Sequence, residues 1–138
     1  MKRIIVFLIT CIAIEMHSQE LHIYGGKEHD VYLGCLTCSE YSSESIWNEY
    51  SKYGSEYSSI SIWNEYGNYG SEYSSYSPWN DYASYPPVIV DKKGNFYGYF
   101  TRNEYKAKRA DFKLALILYK YFEEIRDDVS EWYNKIFN

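Results

Sequence analysis

The sequence predicts an α+β fold: a small antiparallel sheet made of two β-hairpins, with a C-terminal helix or helix pair packed on it. A three-copy, sixteen-residue aromatic repeat is inserted between the hairpins. Two apolar segments interrupted by turn residues indicate the hairpins, and a three- and four-residue apolar spacing near the C-terminus indicates helix. Hairpins followed by helices are typical of α+β domains. The chain of 138 residues has room for one such domain.

The first eighteen residues have the pattern of a secretory signal peptide. Lys2 and Arg3 precede an apolar segment at 4–14, and the small Ser18 lies where cleavage would occur. The apolar segment is shorter than the roughly 20 residues that a membrane-spanning helix needs. We therefore expect a single secreted or periplasmic domain at 19–138, with a retained N-terminal membrane anchor as the alternative.

The charge of the chain limits the partners that it can bind. Loss of the two cations Lys2 and Arg3 and the anion Glu15 would change the net charge from −5 to −6. An acidic chain without a basic block does not suit the phosphate backbone of a nucleic acid or an anionic membrane surface. We therefore expect no nucleic-acid partner and, after signal cleavage, no membrane partner.

The two predicted hairpins flank the repeat. In "ELHIYGGKEHDVYLGCLTC", at 20–38, four apolar residues alternate with more polar neighbours on either side of a turn: Leu21, Ile23, Val31 and Leu33. In "PPVIVDKKGNFYGYFT", at 86–101, two β-branched or aromatic runs flank "DKKGN", whose residues favour a tight turn. The second hairpin is predicted over 88–101.

The C-terminal segment at 104–137 is predicted to be helical. Between 104 and 126, apolar residues recur at steps of three or four: Ala107, Ala110, Leu114, Leu118, Tyr121 and Ile125. "DVSE", at 128–131, has the spacing of a capping box, which predicts a second short helix. A single bent helix is the alternative.

Three sixteen-residue copies occupy 39–86: "SEYSSESIWNEYSKYG", "SEYSSISIWNEYGNYG" and "SEYSSYSPWNDYASYP". A fixed period indicates one small structural element that stacks on its neighbours. In the third copy Pro78 follows a serine, an order that is favoured at the start of a helix. We therefore predict one or two turns of helix in each copy, ended in the second copy by Gly67 in a left-handed conformation.

The repeated aromatic residues have two interpretations. As a binding ladder, three tryptophans would stack on sugar rings while the neighbouring asparagines hydrogen-bond their hydroxyls. As inward packing, the tryptophans would hold the copies together. This is favoured because ordering sixteen residues costs on the order of 24 kcal/mol at about 1.5 kcal/mol per residue. Most of the aromatic surface must then be buried to offset that cost. A disordered spacer is the third alternative. The residues concerned are Trp47, Asn48, Trp63, Asn64, Trp79 and Asn80.

Cys35 and Cys38 are the two cysteines that remain once Cys11 leaves with the signal peptide. A short-loop disulfide is favoured in an oxidising compartment. The first alternative is a zinc site, in which His22 and His29 would complete the four ligands that zinc requires. A redox pair or free thiols are the others, although the polar segment that follows Cys38 does not suit a thiolate at a helix N-terminus.

No cofactor and no catalytic residue are predicted. Each repeat copy carries two acidic residues, which could bind calcium, but no "DxDxDG" loop is present. Motifs such as "GxSxG", "HExxH" and a phosphate-binding glycine loop are also absent from the sequence. The acidic residues are Glu40, Glu49, Glu56, Glu65, Glu72 and Asp81.

These patterns together predict a secreted, non-catalytic recognition or structural module. Its partner would be a polysaccharide or a protein at the cell exterior, bound through the repeat surface. The alternative is an exported protein that depends on its CxxC motif for metal binding or thiol chemistry. A hydrolase with a site between the sheet and the repeat is a third hypothesis.

Overall fold

A computed structural model describes residues 19–138, so the predicted signal peptide at 1–18 lies outside the described residues. Four strands form one antiparallel sheet in the order β2-β1-β3-β4, and two helices follow them. The predicted α+β class, with its two hairpins and its helix pair, is confirmed. The elements are β1 Leu21–Gly25, β2 Val31–Cys35, β3 Val88–Asp91, β4 Phe96–Tyr99, α1 Lys113–Asp127 and α2 Val129–Phe137.

The two hairpins join through β1 and β3, where Ile23 is paired with Ile89 and both side chains are buried. Alternate residues of β1 are buried, as its apolar alternation predicted. Gly34 in β2 has a φ of 115°, and a Cβ added there would lie 2.8 Å from the Cβ of Tyr53 and 2.9 Å from Ile46. The repeat segment therefore lies directly against this part of the sheet.

Residues 39–86 form consecutive turns instead of the predicted helical turns. Every third residue begins a new turn; for example, the N–H of Asn64 donates to the carbonyl of Ser61 at 3.2 Å. The hydroxyl of Ser61 also accepts from the N–H of Trp63 at 3.1 Å. Such side-chain bonds compete with helical ones, which explains the turns. Gly67 is not among the described glycines with positive φ, so its predicted left-handed role is wrong.

Five such three-residue turns and one closing residue make up each sixteen-residue copy. We call the segments 39–54, 55–70 and 71–86 rungs 1, 2 and 3. Gly54 and Gly70 close rungs 1 and 2, where an added Cβ would lie 2.0 Å from the carbonyl oxygen of Asn48 and 2.1 Å from that of Asn64. These two positions therefore require glycine. Pro86 closes rung 3 and leads into β3.

The tryptophans connect one rung to the next. The indole N–H of Trp63 donates to the carbonyl of Ile46 in rung 1, and that of Trp79 donates to Ile62 in rung 2, both at 2.7 Å. The ring centroids of Trp47 and Trp63 lie 5.9 Å apart, and those of Trp63 and Trp79 lie 5.6 Å apart. The three rungs therefore stack with their tryptophan rings 5.6–5.9 Å apart.

The helices run along this stack from rung 3 to rung 1. The ring of Phe122 stacks on Trp79 with 4.9 Å between centroids, and Phe137 meets Trp47 edge-on at 5.5 Å. Sheet, rungs and helices share one hydrophobic core. Further contacts between helices and rungs join Arg126 to Glu65 and to the carbonyl of Gly70, Ser130 to Glu40, and Tyr133 to Trp47.

α1 begins at Lys113, nine residues later than the sequence predicted, because 103–109 forms further turns. At the start of α2, the Asp128 side chain accepts from the N–H of Glu131 at 3.1 Å, as the capping-box spacing predicted. The chain thus forms two helices and not one bent helix. Within 19–138, neither helix has the length and apolar character needed to cross a bilayer.

Candidate functional site

The three repeat tryptophans are core residues. Trp47, Trp63 and Trp79 are 1%, 0% and 1% exposed. Each indole N–H already donates to a backbone carbonyl at 2.7 Å. A ligand could stack on these rings only if the core opened, so the structure agrees with the inward-packing interpretation of the sequence.

The three asparagines that follow them use their amides inside the rungs. In each rung the Nδ2 group donates to a serine carbonyl six residues earlier at 3.0 Å. The Oδ1 atom accepts from the backbone N–H two residues later at 2.9–3.1 Å. Asn48, Asn64 and Asn80 therefore hold the turns, with both amide atoms committed to the backbone.

The exposed aromatic surface consists of tyrosines. Seven tyrosines are 85–96% exposed, and in the sequence each directly follows a glutamate or an aspartate. The other eleven follow other residue types and are 36% exposed or less. The chain thus presents seven adjacent pairs of a carboxylate and a phenol to solvent. The exposed tyrosines are Tyr41, Tyr50, Tyr57, Tyr66, Tyr73, Tyr82 and Tyr105.

These tyrosines form two rows because each rung contributes one from its "SEY" turn and one from its "NEY" or "NDY" turn. We call the first set, Tyr41, Tyr57 and Tyr73, row A. The second set is row B: Tyr50, Tyr66 and Tyr82. The intervening "SIW" and "SPW" turns are buried, so the same turn geometry supplies both core and surface.

Tyr105 extends row B beyond the three rungs. Its N–H donates to Oδ1 of Asn103 at 3.0 Å, the bond that each rung makes between its tyrosine and its asparagine. The N–H of Arg102 donates to the carbonyl of Pro78 at 2.9 Å and attaches this turn to rung 3. The helix predicted from Glu104 onward included Tyr105. The missed signal was "NEY" at 103–105, identical to 48–50 and 64–66.

Tyr82 and Tyr105 border a surface cavity of about 530 Å³ beside α1. Asp81 and Glu104, the acids that precede them, also line it. The guanidinium of Arg102 lies 3.9 Å from Asp81, so it partly offsets the negative charge there. Arg109, Tyr119 and Lys120 also line the cavity, which therefore combines aromatic rings with hydrogen-bond acceptors and cationic donors.

Three of the seven acids that precede an exposed tyrosine lie within 4.0 Å of an arginine: Glu65, Glu72 and Asp81. Among residues 19–138, Glu49, Glu56 and Glu104 form no ion pair, whereas Glu65 pairs with Arg126 at 3.2 Å. A side-chain hydrogen bond with Glu56 raises the pKa of the Tyr57 phenol above its ordinary value. The Tyr57 phenol therefore stays protonated at neutral pH and can donate to that carboxylate.

Cys35 and Cys38 form a disulfide with their Cα atoms 5.5 Å apart, and Cys35 is fully buried. His22 contacts the Tyr32 hydroxyl through Nδ1 at 2.7 Å, and His29 contacts the carbonyl of Pro86 through Nε2 at 3.1 Å. Neither histidine joins the two sulfurs in a cluster. Zinc binds cysteine as the thiolate, so these sulfurs could act as ligands only after reduction.

The described residues contain one group of three potential metal ligands whose donor atoms lie within 4.8 Å: Glu20, Cys35 and Cys38. Two of its three members are oxidised in the disulfide. The rung acids that the sequence suggested for calcium form no such group within 19–138. Their carboxylates are instead distributed along the surface, one beside each exposed tyrosine.

Comparison with known proteins gives no match to a family model, a curated protein or a solved structure. Inference about function therefore depends on the chemistry of this surface. Its main feature is the regular pairing of an exposed tyrosine with a carboxylate along a stacked scaffold.

Proposed function

We propose that the protein is a secreted, non-catalytic recognition module that binds a polysaccharide at the cell exterior through its exposed tyrosines. The supporting observation is the separation of the tyrosines into two classes: the seven that follow an acid are 85–96% exposed, and the others are largely covered. Exposed aromatic residues gathered on one scaffold are typical of interaction surfaces.

Tyrosine suits this role because its ring is large and rigid and carries a polar group. It provides contact area at a small cost in conformational entropy. One face of the ring can stack on the apolar face of a sugar, and the adjacent carboxylate can accept hydrogen bonds from sugar hydroxyls. Bonds to a charged acceptor are stronger than neutral ones.

A repeating polymer fits this surface better than a single compact ligand. The same pair of side chains recurs in each rung, so several weak contacts can act together along one chain. The alternative function, metal binding or thiol chemistry at the CxxC motif, has weaker support because Cys35 is buried and both sulfurs are oxidised.

The proposal can be tested by screening immobilised polysaccharides for retention of the purified protein. We expect the double variant Tyr57→Ala, Tyr66→Ala to lose at least tenfold in affinity for the retained polysaccharide, since it removes both exposed rings of rung 2. The matched control is Ser59→Ala, Asn68→Ala, which changes two exposed residues of the same rung. Equal loss in both variants would contradict the proposal. So would retention by no polysaccharide, including the case in which only a protein is captured.

A further inference from the structure

We propose that row B binds an uncharged, linear polysaccharide that lies along the stack with one sugar residue on each rung. The inference depends on the proposed function and adds to it the class of ligand, the row that is used and the register of binding. Row B consists of Tyr50, Tyr66, Tyr82 and Tyr105, which are 90–96% exposed.

The spacing of the rungs supports one sugar per rung. The tryptophan ring centroids of neighbouring rungs lie 5.6–5.9 Å apart. In rungs 1 to 3 the row B tyrosine lies three residues after the tryptophan, and its N–H is bonded to the intervening asparagine. The tyrosine backbone therefore follows the tryptophan from rung to rung. The distance from one rung to the next is comparable to the length of one sugar residue in an extended chain.

Row B is better suited than row A because it is longer and because two of its members border one cavity. Tyr105 adds a fourth member through the bond between its N–H and Asn103. The cavity of about 530 Å³ lies between the last two members, Tyr82 and Tyr105. Row A ends at Tyr73 in rung 3 and therefore has three members against the four of row B.

The charge of row B favours a neutral ligand. A carboxylate precedes every tyrosine of the row: Glu49, Glu65, Asp81 and Glu104. Arg126 lies 3.2 Å from Glu65, and Arg102, Arg109 and Lys120 line the cavity beside Asp81 and Glu104, so cations balance the carboxylates of the row. A row without net charge does not attract a charged polysaccharide, whereas sugar hydroxyl groups could donate to every carboxylate.

The inference predicts how affinity depends on ligand length. Each sugar added up to the fourth should lower Kd by roughly two- to tenfold, the range that a single aromatic contact provides. A fifth or sixth sugar should change Kd little, since the row has no fifth tyrosine. The oligomer length at which Kd stops falling therefore gives the number of rungs that bind a sugar residue.

The experiment is calorimetric titration of the purified protein with linear glucose oligomers of two to six residues, in β-1,4, β-1,3 and α-1,4 linkage. We expect one linkage to show a plateau in Kd at four residues. The variant Tyr105→Ala should move the plateau to three residues, and Tyr66→Ala should weaken tetrasaccharide binding about tenfold. Tyr57→Ala, which removes the row A ring of the same rung, should weaken binding clearly less than Tyr66→Ala. Asn68→Ala, at an exposed site of that rung, is the matched control and should leave Kd unchanged. Uronic acid oligomers of matched length should bind no more tightly than the neutral ones.

The outcomes separate this inference from the proposed function. If a polysaccharide is retained in the screen but Kd does not depend on oligomer length, the register is wrong and the proposed function stands. The same conclusion follows if Tyr57→Ala weakens binding as much as Tyr66→Ala, or if uronic acid oligomers bind more tightly than neutral ones. If no polysaccharide is retained, both proposals fail.

Discussion

At the scale of single residues, the fold depends on polar side chains that bond to nearby backbone. Asn64 illustrates this: its Nδ2 donates to the carbonyl of Ser58 at 3.0 Å, and its Oδ1 accepts from the N–H of Tyr66 at 3.1 Å. Serines at the starts of other turns accept in the same way, as Ser61 does from Trp63. These side chains satisfy backbone groups that would otherwise pair in a helix or a sheet.

Replacing Asn64 with alanine should therefore destabilise the protein. We expect Asn64→Ala to lower the free energy of unfolding by about 1–3 kcal/mol, because the carbonyl of Ser58 and the N–H of Tyr66 each lose their partner. The measurement is urea unfolding followed by circular dichroism. Asn68→Ala, at an exposed site in the same rung, is the control and should have little effect. A similar loss in both variants would show that the amide bonds are unimportant.

The turn between β3 and β4 should make stability dependent on pH. Hydrogen bonds to Asp91, first the one from the Asn95 side chain, hold the pKa of that carboxyl below its ordinary 3.8. A lowered pKa in the folded state adds stability that is complete above 3.8 and is lost as pH falls through the folded-state pKa.

We therefore expect Asp91→Asn to lower the urea midpoint at pH 7 and to have little effect well below pH 3.8, the ordinary pKa of the carboxyl. The measurement is urea unfolding across this pH range. Glu123→Gln, at an exposed position on α1, is the control for removal of one charge. A difference between wild type and Asp91→Asn that persisted unchanged at low pH would contradict this account.

At the scale of elements, the rung was only partly predictable from the sequence. The sixteen-residue period predicted stacking units, and the estimate of burial predicted inward tryptophans; both agree with the contacts of Trp63. The helical interpretation was wrong because serine before Pro78 is compatible with a helix start and with a capped turn. A shorter period was the useful signal: serine or asparagine recurs every third residue and is usually followed, two residues later, by an aromatic residue.

The closing residue of a rung provides a test of this geometry. In Gly70→Ala the new Cβ would lie 2.1 Å from the carbonyl oxygen of Asn64, so the backbone must shift. We expect a loss of about 3 kcal/mol in the free energy of unfolding, as in strongly overpacked sites. The measurement is thermal and urea unfolding of the purified variant.

Gly67→Ala is the matched control, since Ser51 and Ala83 occupy the equivalent positions of the other rungs. Its Cβ would approach no atom closer than 3.2 Å, and the position has no positive φ. We expect a change within about 1 kcal/mol, in the stabilising direction because alanine restricts the unfolded chain. If Gly70→Ala were as well tolerated as Gly67→Ala, the close approach to Asn64 would be refuted.

At the scale of the whole molecule, sheet, rungs and helices share one core, so they should unfold together. In a Trp132→Phe background the three rung tryptophans alone report by fluorescence. We expect blue-shifted emission, strong protection from acrylamide, and a urea transition that coincides with the loss of circular dichroism. Separate transitions, or easy quenching in the folded protein, would contradict a shared core.

One end of this core can be opened selectively. Phe137→Ala removes the ring that meets Trp47 edge-on at 5.5 Å and leaves Trp63 and Trp79 covered. We expect a new fraction of fluorescence, about one third, to become accessible to acrylamide. In the matched variant Leu116→Ala, which truncates an exposed side chain of α1, quenching should stay as in the parent. Uniform quenching of all three tryptophans in Phe137→Ala would mean that α2 supports the entire stack.

The candidate surface was predictable to a smaller extent than the fold. The sequence directed attention to the tryptophans and asparagines, whose chemistry suits a sugar, but these residues hold the rungs together. Hydropathy does not show which aromatic residues face outward, since tryptophan and tyrosine follow the same turn pattern. The acid before each exposed tyrosine was the available signal, as in Glu65 and Tyr66, because a carboxylate resists burial.

The alignment of the helices with the rungs has a consequence for the size of the protein. Phe122 contacts rung 3 and Arg126 contacts rung 2, so α1 advances four residues between these rungs. After the non-helical Asp128, α2 contacts rung 1 through Ser130, Tyr133 and Phe137. One α-helical turn rises about 5.4 Å. This is close to the 5.6–5.9 Å that separates the tryptophan ring centroids of neighbouring rungs. α1 therefore advances by one helical turn for each rung. A longer version of this molecule would gain sixteen residues of repeat and four of helix together, and either insertion alone would leave a terminal tryptophan uncovered.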